Sequence, residues 1–537
     1  MFVNRLIATL ELDLNGTKFS VPGGNIKNID VELRPHGFRV SLDFWFICLK
    51  AQSEDKIFAK FVKDELAKAK LTIDRKFDAV GETADPIVLQ GLVQRREVSE
   101  RVFDALSGEP ILHRHYSLDF ADRAQVLWGQ HYPTALYVDK KLTELIDANK
   151  PEGVKLTHSW AAGKVKHTVL SLPLGEELNE ASFYDYLFWL LDRNHAGLYY
   201  DYVTDTYTIS DKKKEFGNAV SLVADDVEEL NAVFPPVSRS SVSVLNACTE
   251  AATKTKDIAN KLKVTGVKNE YILRSSVASD LTDRATLETK RHKKSEVLAR
   301  IDFGCFPSTT MRPNLLLKFD AWPSTIYQSK HQYRVLEIDI HASAESQMAT
   351  DDAEDPSNAF EVVMVARLEK KENTLFAFPA YRVPVWPVQV EGKVLSELGD
   401  KPQETYQIYR NDKTSIDYYK VEVPLWKNQK VVVAFEPNLA SGHFYFPIHK
   451  GARVLLELSH DRAEIHRFVQ WRPGARLPQE SQGNHILFGK TSKDQTSVNH
   501  VYKDAKPQLR IDRTSGEDKQ VVEVSEGRIY METIATK

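Results

Sequence analysis

Over residues 506–537, apolar and polar positions alternate. Leu509 and Ile511 fall on one face of an extended chain, with Arg510 and Asp512 on the other. Val522 and Val524 repeat the pattern, and Ile529 and Met531 repeat it again. A period of two is strand spacing, because successive side chains point to opposite faces. The stretch shows no helical period, and no later segment covers it. A narrow ribbon of this kind leaves its edges and its apolar face open, which is costly and invites association. The simplest completion is the same tail from other copies. The expectation is a shaft wound from several chains, with Leu509, Ile511, Val522, Val524, Ile529 and Met531 meeting inside it.

Upstream, residues 2–50 predict strands with turns at Asn15-Gly16 and Pro22-Gly23-Gly24. Ser53 is a candidate cap for a helix running to about Lys70, with Ile57, Phe58, Phe61, Val62 and Leu66 on one face. Strands are expected at 87–98 and 111–119, short helices near 121–129 and 138–148, and a strand-like stretch over 156–173. The clearest unit is 182–209. Ser182 and Asp185 form a capping-box pattern, and Phe183, Tyr186, Leu187, Leu190 and Leu191 make a helical stripe. Gly197 is placed to close the helix in a left-handed cap. Tyr199, Tyr200 and Tyr202, a turn at Thr204-Asp205, and Tyr207 to Ile209 then read as a hairpin. Residues 211–300 are more polar, with a helix expected over 249–262. Strands dominate 296–382, interrupted by the acidic loop Asp351-Asp352-Ala353-Glu354-Asp355. Pro384, Pro387 and Gly392 mark a boundary. Beyond it, 386–475 is a strand series with turns at Gly399-Asp400, Asn411-Asp412, Ser441-Gly442 and Lys450-Gly451, the pattern of a small barrel. Residues 476–508 read as a polar connector.

A chain of 537 residues exceeds one core and predicts three or four domains. Its charge, 71 − 75 = −4, offers no basic field for nucleic acid. Cys48, Cys248 and Cys305 form neither a disulfide framework nor a CxxC metal pair, which suits folding in a reducing cytoplasm. The apolar run from Leu6 to Leu10 is cut by Glu11 and Asp13, so no signal peptide is expected. No uncharged run approaches the ~20 residues of a membrane span.

Candidate chemistry is sparse, and no cofactor is expected. His113 and His115 share a strand face but have no evident third metal ligand, so polar strand surface is the favoured reading. His443, His449, His460 and His466 lack metal spacing. The loop Asp351 to Asp355 lacks the EF-hand pattern and its glycine. Neither Glu457 with Asp461 nor Glu176 with Glu177 is marked as a glycosidase acid–base pair. Phosphate loops, nucleophile elbows and HExxH helices are missing from the sequence. Lys212-Lys213-Lys214 reads as a solvated turn.

The order of these parts resembles the VgrG-like spike proteins of contractile injection systems, which are related to phage-tail hubs and spikes. Ser182-Phe183-Tyr184-Asp185-Tyr186-Leu187, continuing to Gly197-Leu198-Tyr199-Tyr200, is similar to that family's helix-then-hairpin element. Gly91-Leu92-Val93, Tyr116-Ser117-Leu118 and Tyr333-Arg334-Val335-Leu336-Glu337-Ile338 resemble its hub strands. Pro384 to Val394, Gly442-His443-Phe444-Tyr445-Phe446-Pro447 and Gly451-Ala452-Arg453-Val454-Leu455 resemble its OB-fold barrel. Asn484-His485-Ile486 and Leu509-Arg510-Ile511-Asp512 resemble the start of its needle.

The resemblance implies a mostly β chain with an α+β hub. Residues 1–385 would hold two hub barrels (about 1–175 and 295–385) around a helix-and-hairpin region at 176–294. An OB-fold barrel would follow at 386–475, and a connector with an intertwined trimeric β-prism at 476–537. It further implies a homotrimer that seats the inner-tube protein and binds baseplate and hub proteins. A PAAR-like tip would sit at Tyr530, Glu532, Thr533 and Ile534, and effector cargo is an open possibility. The particle would act outside the producing cell or on the target cell, with a membrane met only as the pierced target. Two other classes compete. A tail-associated peptidoglycan hydrolase needs an inserted domain, and the interval from Trp471 to Leu509 is far shorter than the ~100 residues of one. A trimeric adhesin, with Tyr199, Tyr200 and Tyr202 as a sugar platform, calls for a secretion signal and a long stalk.

Overall fold

The computed structural model describes residues 1–48, 55–75, 84–103, 111–249, 251–293, 296–320, 322, 326–327, 330–347, 357–400, 405–412, 416–434, 447–469, 484–491 and 493–535. The chain is mostly β and divides into two compact units. The first holds 1–134, 140–167 and 172–385; the second holds 135–139, 168–171 and 386–537.

The first unit is organised by one 13-stranded sheet. Within it, Phe2–Leu14, Ala67–Arg75, Ile87–Phe103, Ile111–Ala121, Gly37–Cys48, Ile26–Arg34, Tyr333–Ala344 and Ser357–Lys370 pair in a closed circuit. Alternate residues point inward, as a barrel requires: Leu6, Ala8, Leu10 and Leu12 are buried on one strand, and Tyr116, Leu118 and Phe120 on another. The hairpin Tyr333–Ala344 with Ser357–Lys370 extends beyond this ring. There Leu298–Phe303 and Val227–Val233 add on one side, Leu316–Lys318 and Val220–Ser221 on the other.

The helix Phe183–Asn194 forms as its pattern predicts. Ser182 Oγ accepts from Asp185 N at 3.2 Å, and Asp185 Oδ2 accepts from Ser182 N at 2.9 Å. Phe183, Tyr186, Leu187, Leu190 and Leu191 are all buried. The left-handed residue that ends the helix is His195, at φ 50°, rather than Gly197. The hairpin Gly197–Asp201 with Thr206–Ser210 follows, and Tyr199 and Tyr200 are buried in it.

Two local expectations fail. The helix over 53–70 shrinks to Phe58–Phe61, and Ser53 lies outside the described residues. Ala67–Arg75 is instead a ring strand with Ala67, Ala69, Leu71 and Ile73 buried. In place of a helix over 249–262 there is the strand Thr255–Ile258. The helix of this region is Ser279–Arg291, which packs with the sheet of Thr255–Ile258, Ser241–Asn246 and Lys268–Leu273.

In the second unit, Val388–Leu395, Arg453–Leu458, Ala463–Phe468, Gln429–Ala434 and Asp417–Val423 close a five-stranded barrel, with the first and last strands paired at Lys393↔Glu422. Its core holds Val394, Tyr419, Val421, Val431, Val433, Val454 and Leu456, joined by Leu136 and Val169 from the two short inserted segments. The turn at Ser441-Gly442 lies outside the described residues. Among the described residues, no helix is long and apolar enough to cross a membrane.

Candidate functional site

The tail is a five-stranded antiparallel sheet of Asn484–Thr491, Asp494–Lys503, Lys506–Ser515, Asp518–Ser525 and Arg528–Ile534, paired in that order. The expected connector at 476–508 therefore contains two of its strands. Tight turns join the strands: Gly516 and Gly527 take positive φ with open space around them, as two-residue hairpins demand.

Cross-strand pairing fixes which side chains share a face. Leu509 lies opposite Val524, which lies opposite Ile529. Ile511 lies opposite Val522, which lies opposite Met531. All six residues expected in the needle thus share one face in two adjacent rows. The structure lengthens one row with Val498, from the stretch that reads as a polar connector, and with Ile486, whose segment resembles the start of the needle. This face is open: Leu509 is 46% exposed, Ile529 68% and Met531 73%.

The opposite face is mostly polar and carries its own hydrogen bonds, while Gln495 Oε1 and Asn499 Oδ1 are buried on it without a partner among the described residues. Ser497 and Asn499 are buried there. Asn499 Nδ2 donates to Asp512 Oδ2 at 3.2 Å, and Arg510 Nε donates to Asp512 Oδ1 at 2.9 Å. The apolar face is bare and the polar face closed, the reverse of a sheet folding on its own account. The first and last strands each pair on one side only among the described residues. The expected tip residues lie on the last strand, Arg528–Ile534. Register puts Tyr530, Glu532 and Ile534 on the polar face and Thr533 on the apolar one, so they do not form one patch.

Elsewhere, His115 packs on Trp45 at 4.6 Å, with Nε2 3.7 Å from Asp43 Oδ1. That contact holds the Asp43 carboxyl below its ordinary value, and burial lowers His113. Among the described residues, no group of three His, Cys, Asp or Glu side chains is arranged to hold a metal. His466 pairs with Glu457 at 2.9 Å, and His449 Nδ1 contacts the Lys450 carbonyl at 2.8 Å. His460 lies edge-on to Trp386 at 5.5 Å. His443 and Asp351 to Asp355 lie outside the described residues. Glu176 and Glu177 are exposed in a turn, and Asp461 is exposed beside the barrel strand Ala463–Phe468. Tyr199 and Tyr200 are buried, and Tyr202 Oη sits 2.6 Å from the Gly37 carbonyl, so these rings pack into the first unit rather than form an exposed sugar platform.

Two buried polar centres escaped the sequence reading. Lys213, expected in a solvated turn, instead bonds Glu369 at 2.6 Å; Arg334 joins the same carboxylate at 2.7 Å. The second centre is Asp122. It caps the helix Arg123–Trp128 through Gln125 N at 3.0 Å and accepts from Tyr207 Oη at 2.7 Å and Phe38 N at 3.3 Å. A Cβ at Gly37 would meet Asp122 Oδ2 at 2.1 Å, so this approach requires glycine.

Burial pushes the Asp122 carboxyl up to about 6, against its hydrogen bonds, from 3.8. A raised folded-state pKa gives a contribution that is full below the unfolded value and lost as pH rises through about 6. The stability of the native protein relative to Asp122→Asn is therefore expected to fall between pH 4 and pH 7, by up to about 3 kcal/mol. Parallel denaturant titrations of the two proteins across that range check it, and a flat difference would contradict it.

No family model and no curated protein matches this chain. Among solved structures, a chain of the lidless PdpA–VgrG complex has a TM-score of 0.70 at 11% identity, covering 100% of this chain and 99% of that one. A chain of the lidded Francisella PdpA–VgrG complex has a TM-score of 0.71 at 10% identity, covering 99% of this chain and 80% of that one. The half-lidded Francisella complex gives 0.70 at 11%, covering 99% and 89%. Over essentially its whole length, this chain has the fold of a chain of the PdpA–VgrG complex.

Proposed function

We propose that the protein is the central hub and spike of a contractile, phage-tail-like injection machine, acting as a homotrimer without catalysis. The observation that carries this reading is the tail sheet, whose six needle residues share an exposed face. Three copies would bring those faces together on one axis and pair the open edges. Each buried Val, Ile, Leu or Met side chain then contributes roughly 1.5–3 kcal/mol. Such a shaft resists load because no strand can peel away alone. The hub would seat the inner tube, the baseplate would hold the hub, and the end of the tail would carry a PAAR-like tip and any cargo. Sheath contraction would supply the energy to pierce a target envelope.

Whole-length likeness to a spike-complex chain supports the assignment to this class of particle, and the buried tyrosines of the hairpin weigh against an adhesin platform. Removing residues 506–537 is expected to lower assembly stability and to abolish capture of a tip protein. Thermal unfolding and tip pull-down check this, and unchanged behaviour in both would contradict it.

A further inference from the structure

Within the first unit lies a cavity of about 480 Å³, lined by the turn between Ile26–Arg34 and Gly37–Cys48, the short helix Arg123–Trp128, the start of the helix Phe183–Asn194 and the segment 377–382. Its size is that of a small-ligand site. The acidic groups on its wall are already engaged. Glu32 pairs with Arg34 at 3.5 Å, Glu337 pairs with Arg367 at 2.6 Å, and Glu180 pairs with Arg382 at 3.4 Å. Asp185 accepts from Ser182 N and from Arg382 N at 3.0 Å.

Three donors on the same wall are not engaged. Gln125 is only 9% exposed, yet its Nε2 has no hydrogen-bond partner; Tyr184 Oη is likewise buried and unpartnered. Arg39 has no carboxylate within ion-pair distance among the described residues, and it lines the cavity beside them. Unpaired buried polar groups are rare and costly, so two of them on one wall, with the exposed Arg39 guanidinium on the same wall, call for an acceptor. Phe38, Tyr132, Phe378 and Pro379 supply apolar wall. The imidazole of His36, held down to about 3 by burial and by Arg34 and Arg39, stays neutral and adds no competing charge.

We propose that this cavity binds a carboxylate carried on an apolar body. Amide, phenol and guanidinium would share the carboxylate oxygens, while the rings receive the body. The four engaged carboxylates on the wall disfavour the higher charge of a phosphate. The carboxylate comes either from a free molecule or from a second copy of this chain.

Titration of the full-length protein with phenylacetate tests this. Binding is expected with a Kd of about 1 mM, with phenylacetamide and inorganic phosphate weaker by about tenfold or more. Tyr184→Phe and Gln125→Leu should each weaken phenylacetate about tenfold while leaving thermal stability unchanged or raised, because each removes an unsatisfied buried donor. Arg39→Gln, at an exposed position, should weaken binding with no effect on folding. Light scattering of the same variants identifies the source: unchanged assembly size assigns the site to a free carboxylate, and dissociation assigns it to a second copy. Absence of phenylacetate binding, equal binding of acid and amide, or full binding by all three variants would overturn the proposal.

Discussion

Ile511→Lys combined with Val522→Lys is expected to turn the assembly into monomers while the hub and barrel stay folded. The two residues lie directly opposite each other in the middle of the apolar face of the tail sheet. In a three-chain shaft the change removes six buried side chains, roughly 9–18 kcal/mol of burial in all. It also forces six ammonium groups toward an apolar axis. In a lone chain the same positions face water, so the substitution costs little there. The effect therefore separates assembly from folding. Light scattering with circular dichroism reads both, and Thr514→Lys, on the polar face, is the control that should keep the assembly intact. An assembly of unchanged size in the double variant would show that this face is not the contact.

Glu369→Ala carries the second large effect. Glu369 is 1% exposed and accepts from Lys213 and Arg334, both nearly as buried, and from Asn373 Nδ2 at 2.9 Å. Burial lowers the Lys213 ammonium from its ordinary value even with the carboxylate beside it. Removing the carboxylate leaves two cations in a poorly solvated site, with Glu215 at 3.1 Å and the Lys371 carbonyl at 3.3 Å from Arg334 to compensate among the described residues. Loss of such a partner costs about 3–5 kcal/mol. Glu369→Gln, which keeps acceptor and shape, should cost less. Converting Lys213, Arg334 and Glu369 together to Met, Met and Leu should cost less than the single alanine, because no charge is then stranded. Denaturant unfolding measures all three, and a loss under about 1 kcal/mol for the alanine variant would show that the site is hydrated.

What the sequence made legible follows the strength of local pattern. The helix Phe183–Asn194 was readable because its N-terminal cap and its apolar stripe agree, and the structure shows the cap bonds. The rows through Leu509, Ile511, Val522, Val524, Ile529 and Met531 were readable because period-two spacing survives on exposed strands. Ala67–Arg75 was misread because alanine and lysine favour helix, while the burial of Ala67, Ala69, Leu71 and Ile73 comes only from long-range ring pairing. The helix Ser279–Arg291 was missed because its buried face is Leu281, Ala285 and Glu288. The glutamate, fully buried among Arg284, Arg291 and His292, breaks the apolar stripe. The strands Asn484–Thr491 and Asp494–Lys503 were read as connector because their sheltered positions include Ser497 and Asn499. The Lys213–Glu369 pair and the Asp122–Tyr207 contact gave no signal, since the partners lie 156 and 85 residues away in sequence.

The mass of the intact protein in solution tests the central claim most directly. Multi-angle light scattering is expected to return three times the 61.1 kDa of one chain. A homogeneous particle of 61.1 kDa, with the apolar face of the tail sheet protected from hydrogen exchange within that single chain, would contradict it.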